Sequence, residues 1–257
     1  MTHPLFARKR PALGIWVTLE SPSITEIAAT MGLDWVVIDA EHGHLDLKEV
    51  MEHLRATRGS KTLPLVRVQE VEQGLIKRVL DIGAAGILVP QVRNAQEVAQ
   101  AVRFAKYPPE GIRGIGAERA TRWGMGIRSH VRVANRRTLV IPIVECVEAM
   151  EDFPAILRVR GVDAIFFGPH DLAASMGYPG VWNHPELMPR ILAMRKEAAR
   201  QGVPCGILAP TAQEAKLRER QGFRMIAVGI DTVLMIGALG DMLAALGRSV
   251  PPSAWES

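Results

Sequence analysis

Trp35-Val-Val-Ile-Asp-Ala-Glu-His-Gly43 decides how this chain folds. Trp35 to Ile38 is apolar at every position, which suits a parallel strand covered on both faces better than a half-exposed antiparallel one. The run breaks at Asp39, and Glu41 and His42 follow at once, so a single strand end delivers two carboxylates and an imidazole. In α/β folds, ligands settle outside the carboxyl ends of such strands. The same cluster also reads as a helix start whose acids only cap backbone N–H groups.

Working outward, apolar runs recur at 14–19, 64–68, 86–90, 139–144, 164–168, 204–209 and 225–230, making eight candidate strands with the run at 35–40. Helical patterns separate them. Ser23 with Glu26, Asp46 with Glu49 and Thr211 with Glu214 have capping-box spacing, and Leu47, Val50, Met51 and Leu54 share one helical face. Eight such alternations favour a closed (β/α)8 TIM barrel over an open doubly wound sheet, because closure leaves no edge strand. The glycines of Gly111-Ile-Arg-Gly-Ile-Gly116 follow Tyr107-Pro-Pro109 and not a strand, so they mark a surface loop and not a dinucleotide site. Only the stretch from Tyr107 to about Arg137 exceeds a simple connection; it is expected to hold a loop and one extra helix.

Composition agrees with one domain spanning 1–257. The chain has 257 residues, 48% of them hydrophobic, and one such barrel commonly uses about 250. Its 31 basic residues are interspersed with 27 acidic ones for a net charge of +4, without the concentrated basic stripe that nucleic acid requires. The cluster from Arg119 to Arg137 reads as a solvated helix face, which would also draw anionic substrates. Neither a leader nor a run of about 18 apolar residues is present, so no membrane partner is expected. Cys146 and Cys205 read as reduced, packed thiols, and a cytoplasmic location follows as the expectation.

The barrel gathers scattered residues at one mouth. Trp16, Asp39, His42, Arg67, Gln91, Glu145 and Asp171 all fall at or just after strand ends. Glu145 and Asp171 end consecutive strands, and two carboxylates with positions left for water and substrate suit a hard divalent cation such as Mg2+ or Mn2+. For either acid alone a helix cap is the commoner reading; the pair at adjacent strand ends favours metal. Arg67 either holds a carboxylate or developing oxyanion, or pairs with Asp39 or Glu41. His42 is a base, a metal ligand or a structural hydrogen-bonder, while His44, His130 and His184 read as surface or loop residues. No strand end offers a lysine for a Schiff base.

With these residues in view, the chain resembles the metal-dependent class II pyruvate aldolases of the HpcH/HpaI type. The similarity runs from Gly14-Ile-Trp16 to Val228-Gly-Ile-Asp231. It is strongest at residues 34–43, 80–83, Tyr107-Pro-Pro-Glu-Gly-Ile-Arg-Gly114, Ile143-Val-Glu145 and Phe167-Gly-Pro-His-Asp-Leu172. The resemblance implies a barrel enzyme, a homo-oligomer and usually a hexamer with exchanged C-terminal helices, that holds pyruvate on a divalent metal. Mg2+ or Mn2+ is the first expectation, with Co2+ and Zn2+ as further candidates. It casts Glu145 and Asp171 as metal ligands, His42 as proton acceptor, Arg67 as the group stabilising developing charge, and Asp81 as the acid raising the histidine's basicity. Trp16 would line the pocket, and Gly168, Pro169, His170 and Asp171 would hold the pyruvate carboxylate.

Asp81 ends the helix that contains Leu75, Ile76, Val79 and Leu80. Barrel geometry turns it away from its own His42 and toward that of a neighbouring copy, or else it caps a nearby loop or pairs with Lys77 or Arg78. Two positions depart from the family pattern: Ile143 stands where a glutamine is common, and His170 where a small residue precedes the aspartate. Both bear on the aldehyde accepted. Reversible cleavage of a 4-hydroxy-2-keto acid to pyruvate and an aldehyde is the first function. A lyase acting on an acyl-CoA or oxaloacetate is the second, and a 2-keto acid binding barrel without turnover the third.

Overall fold

The computed structural model describes residues 3–248. Eight parallel strands close in sequence order: β1 (Ala12–Val17), β2 (Trp35–Asp39), β3 (Leu63–Arg67), β4 (Gly86–Val89), β5 (Leu139–Val144), β6 (Ile165–Phe167), β7 (Cys205–Leu208) and β8 (Met225–Ile230), with β8 pairing back onto β1. The expected TIM barrel and all eight strands are therefore present. Helices α1 (Pro22–Thr30), α2 (Leu47–Ala56), α3 (Gln73–Asp81), α4 (Ala95–Ala105) and α5 (Ile127–Arg137) precede β5. After it come α6 (Val147–Glu151), α7 (Phe153–Ile156), α8 (Pro169–Ser175), α9 (Leu187–Arg200), α10 (Ala212–Arg220) and α11 (Asp231–Ala245). None of the described helices is long and apolar enough to cross a membrane.

Strand alternation sorts the side chains into two layers. Trp35, Val37, Leu65, Leu88, Ile141 and Phe166 pack with one another inside the barrel, whereas Ile38, Val66, Ile87, Val140 and Ile165 pack against helix residues such as Leu54, Ile76 and Val98. Burying each such side chain is worth about 1.5–3 kcal/mol, so the two layers dominate stability. Trp35 is fully buried and donates its Nε1 proton to Ala12 O at 3.2 Å. Its ring occupies the space a side chain at position 14 would need: a Cβ there would lie 2.1 Å from the indole, which fixes Gly14. Leu5 and Phe6 close the floor of this inner layer.

Helix starts follow the expected chemistry at two of three places. Asp46 and Glu49 form the reciprocal capping box, and Thr211 Oγ1 accepts from Glu214 N at 3.1 Å. Ser23 does not cap; α1 begins one residue earlier, at Pro22, whose fixed φ and missing N–H suit the first helical position. The 107–137 stretch carries its loop, a short 3-10 turn at Arg119–Thr121 and α5. It is not the only long connection, because β6 and β7 are joined through both α8 and α9. Arg119 also departs from a solvated face: its guanidinium donates to Ile82 O at 2.9 Å and Leu54 O at 3.1 Å, meeting carbonyls at the ends of α3 and α2.

Candidate active site

The alternation that fills the barrel also points functional groups into its mouth. Asp39 continues the inward set Trp35 and Val37, Arg67 continues Leu65, and Glu145 continues Ile141 and Ile143. Asp39 and Arg67 are register partners on adjacent strands. Arg67 Nε donates to Asp39 Oδ1 at 2.9 Å, Nη2 donates to the other Asp39 oxygen, and Nη1 lies 2.7 Å from Glu41 Oε2. The guanidinium also sits 5.3 Å from the Trp16 ring centre. The pairing reading of Arg67 is thus realised, and the guanidinium also lines the mouth. Two of its N–H groups are spent on Asp39, and Nη1 forms an ion pair with Glu41 without a hydrogen bond to it.

Asp39 is an organiser. It is 1% exposed, and Oδ1 also accepts from the backbone N–H groups of Glu41 at 3.1 Å and His42 at 3.3 Å, which sets the turn that presents the His42 ring. Burial pushes the Glu41 carboxyl upward against the pull of Arg67.

Glu145 follows β5 and is 5% exposed. Its Oε1 accepts from Gln91 N at 2.6 Å, an N–H aimed inward because Gln91 adopts a left-handed φ of 50°. Burial pushes its pKa up to about 7, and the nearby charges of Asp171 and Glu41 act in the same direction, against the Gln91 hydrogen bond. Gly168 permits this placement: a Cβ there would come within 2.7 Å of Glu145 Oε2, although its φ of −101° suits any residue. A buried carboxylate held costly to ionise beside a second, exposed carboxylate fits a divalent cation, whose charge relieves both. Among the described residues no group of three or more His, Cys, Asp or Glu side chains converges as a metal cage, so further positions would fall to water or substrate.

One cavity of about 320 Å³ collects the expected residues: Trp16, Asp39, His42, Arg67, Ile143, Glu145, Gly168, Pro169, His170 and Asp171 all line it. Asp81 is not among them. It lines a separate outer cavity between α2, α3 and the 114–118 loop, and pairs with the buried Arg113 at 2.7 Å, not with Lys77 or Arg78. Arg113 in turn lies 4.6 Å over the Tyr107 ring.

Sequence reading missed two residues, Asp231 and His53. Asp231 is buried and accepts from Thr18 N, Leu19 N and Thr18 Oγ1 at 2.7–2.9 Å, tying the end of β1 to that of β8. Its place directly after the last apolar run was the available signal. Glu41 braces Arg67, as the pairing reading of that arginine expected. His53, fully buried with Nδ1 2.8 Å from Thr25 Oγ1, carried no signal beyond its place on a helix. His130, expected at the surface or in a loop, lies on α5 with its ring edge toward Tyr107.

Sequence and structure comparisons identify the proteins this chain is similar to. Residues 12–238 match the profile of the family described as HpcH/HpaI aldolase/citrate lyase. The chain is 39% identical over 242 residues to a 4-hydroxy-2-oxo-heptane-1,7-dioate aldolase of Shigella flexneri, covering 93% of this chain and 90% of the relative. It is also 39% identical to a 5-keto-4-deoxy-D-glucarate aldolase of Enterobacter sp. (strain 638), covering 88% of each. An HpcH/HpaI aldolase/citrate lyase family protein from Burkholderia cenocepacia J2315 superimposes with a TM-score of 0.87 at 34% identity, covering 95% of this chain and 97% of that one.

Proposed function

Because the chain belongs to the HpcH/HpaI aldolase/citrate lyase family, we propose that it is a carbon–carbon lyase: a divalent-metal-dependent aldolase that reversibly cleaves a 4-hydroxy-2-keto acid to pyruvate, or a close analogue, and an aldehyde. One observation carries the reading. A buried carboxylate with a raised pKa, an adjacent exposed carboxylate, an arginine braced by Asp39 and Glu41 and an exposed histidine all face one cavity. Binding alone needs no such base.

Glu145 and Asp171 would hold the metal, Mg2+ or Mn2+ by the preference of hard cations for oxygen ligands. When bound, the metal supplies a Lewis acid that draws electron density from the 2-keto group. The remaining work belongs to the protein. Asp39 and Glu41 lock Arg67 so that its free N–H groups face the oxygen on which negative charge grows as the C3–C4 bond breaks. His42 accepts the proton of the 4-hydroxyl at an imidazole nitrogen, the aldehyde departs, and the pyruvate enolate takes a proton at C3. Trp16, Ile143 and Phe166 form an apolar wall that limits water around the developing charge.

Assembly follows from α11. Val233, Leu234, Met235, Ile236, Leu239 and Met242 are each 42% or more exposed on this one helix, and α1 adds Ile27 at 61% and Met31 at 77%. Apolar surface of that extent calls for cover, and a homo-oligomer in which α11 packs on a neighbouring barrel, a hexamer by family resemblance, supplies it. In such an assembly Asp81, remote from its own mouth, would reach His42 of a neighbouring copy. Free Cys146 and Cys205 fit a reducing, cytoplasmic setting.

The test is proton exchange at C3 of pyruvate in D2O with Mg2+ or Mn2+, followed by aldol addition to a panel of aldehydes. Exchange that disappears with chelator and in Glu145→Gln supports the reading; exchange indifferent to metal overturns it. Turnover of an acyl-CoA or oxaloacetate without aldol addition would assign the site to a different lyase.

A further inference from the structure

A second cavity, of about 310 Å³, opens beside the mouth and shares four lining residues with it: Pro169, His170, Leu208 and Ile230. Only these side chains separate the two spaces. Trp16, Arg67 and Ile143, each 8% exposed or less, wall the inner side of the mouth, while His42 and Asp171 stand exposed on its solvent side. The substituent on the carbon that joins pyruvate C3 has to leave the reacting centre in some direction. Beside the solvent opening, the shared rim is the route that offers the substituent protein walls to pack against.

The far walls define what fits there. Trp182, Met188, Ile207 and Val233 supply apolar surface, and the Trp182 ring lies 5.7 Å from that of His170 at a tilt of 34°. That arrangement offers aromatic faces to a third ring. Two charged side chains, Glu214 and Arg218, line the back, but they face each other at 3.6 Å. Arg218 Nη1 further donates to Gln221 Oε1 at 3.0 Å, while its buried Nε has no partner. An incoming carboxylate would meet Glu214 and an arginine already balanced, so an anionic tail is disfavoured. An uncharged tail has apolar contact along the walls and one unmet N–H at the back.

We infer that this side cavity is a subsite for the aldehyde substituent, and that the enzyme takes aldehydes carrying an uncharged, mainly apolar tail, by preference an aryl ring. The inference rests on the aldolase reading above. His170 gates the passage and Trp182 forms its outer wall. Neither residue needs to touch pyruvate for this role.

Rates of addition to pyruvate with Mn2+ present test it, using glycolaldehyde, phenylacetaldehyde and a four-carbon aldehyde ending in a carboxylate. The expected kcat/KM for phenylacetaldehyde exceeds those of the other two by about tenfold or more, the discrimination an apolar pocket affords. Val233→Trp fills the cavity and Trp182→Ala removes its wall; Trp182 is 40% exposed, so the barrel should tolerate its loss, and because Val233 lies on the α11 face assigned to the assembly, light scattering on Val233→Trp has to show the wild-type assembly for its rates to count. Each should lower the ratio of phenylacetaldehyde to glycolaldehyde kcat/KM about tenfold. Proton exchange at pyruvate C3, measured without aldehyde, separates the two readings. If exchange proceeds but phenylacetaldehyde shows no preference, or a preference that neither variant changes, the subsite is overturned while the aldolase reading stands; a cavity filled by a neighbouring copy gives that same result. If wild-type protein shows neither exchange nor addition, both readings fall.

Discussion

Gly168→Ala tests the candidate centre with a single methyl group. The backbone at this position is ordinary, with φ of −101°, so alanine adds no torsional strain. The conflict is steric and local: the new Cβ would lie 2.7 Å from Glu145 Oε2 and 2.9 Å from Glu145 Cβ. Carbon and oxygen require roughly 3.3 Å, so the carboxylate has to retreat by about 0.6 Å. Glu145, 5% exposed and held through Oε1 by Gln91 N, has little room to do so. A 1 Å misplacement at a reacting centre costs on the order of a hundredfold, so kcat/KM should fall about ten- to a hundredfold, with a comparable rise in the metal concentration for half-maximal activity. Overpacking costs about 1–3 kcal/mol, which for a chain of this size lowers Tm by roughly 2–12 °C and leaves it folded. Steady-state cleavage rates across a Mn2+ titration, with a circular dichroism melt of the same sample, provide both numbers. Wild-type activity at limiting metal in a folded Gly168→Ala protein would refute the placement of Glu145 as a ligand shaped by Gly168.

Arg67→Lys exchanges a planar fork spanning Asp39 and Glu41 for a point charge; turnover should drop on the order of a hundredfold, and an unchanged rate of pyruvate C3 exchange would remove Arg67 from enolate stabilisation. Burial lowers the pKa of His53 from 6.5, so the folded state excludes a proton that the unfolded chain accepts; this contribution to stability is complete above pH 6.5 and is lost as pH falls from there toward the lower folded pKa. His53→Gln should flatten the melting temperature over that window, and a variant with the wild-type pH dependence would contradict the assignment. Asp81→Asn leaves the buried Arg113 guanidinium without its charge partner and should cost about 3 kcal/mol of stability. If Asp81 also serves a neighbouring copy's His42, the acid limb of the turnover pH profile moves down as well, whereas an unmoved profile restricts Asp81 to its pair with Arg113. Leu239→Glu, on the exposed face of α11, should shift the species seen by light scattering to a smaller assembly with loss of activity; an unchanged assembly would mean that α11 is covered in some other way.

Much of this architecture was legible because strands carry their own geometry. The unbroken apolar run from Trp35 to Ile38 implied a strand covered on both faces, and its alternation, extended two residues past Val37 and Leu65, put Asp39 and Arg67 side by side. The same count carried Glu145 inward. What stayed hidden depended on partners remote in sequence. Arg113 is 32 residues from Asp81, and nothing local to either residue names the other. Arg119 looked like one more exposed arginine until the ends of α2 and α3 were placed beside it. Ser23 misled because its spacing to Glu26 satisfied a local rule that Pro22 had already superseded.

The bond between Asp231 and the Thr18–Leu19 backbone spans 212–213 residues. A contact of such sequence separation forms late, since almost the whole chain has to be ordered or looped out before its ends meet. During synthesis the first seven strands therefore emerge as an open sheet, its two edges waiting for residues 225–231 to arrive. Trp16, on β1, acquires its final setting only when that last strand zips against it, so the pocket is among the last features to mature. Nascent chains that stall beforehand expose an unpaired β1 edge, a template for pairing with the wrong chain. Asp231→Asn should accordingly lower the yield of soluble protein from cells more than it lowers the activity of the molecules that succeed in closing.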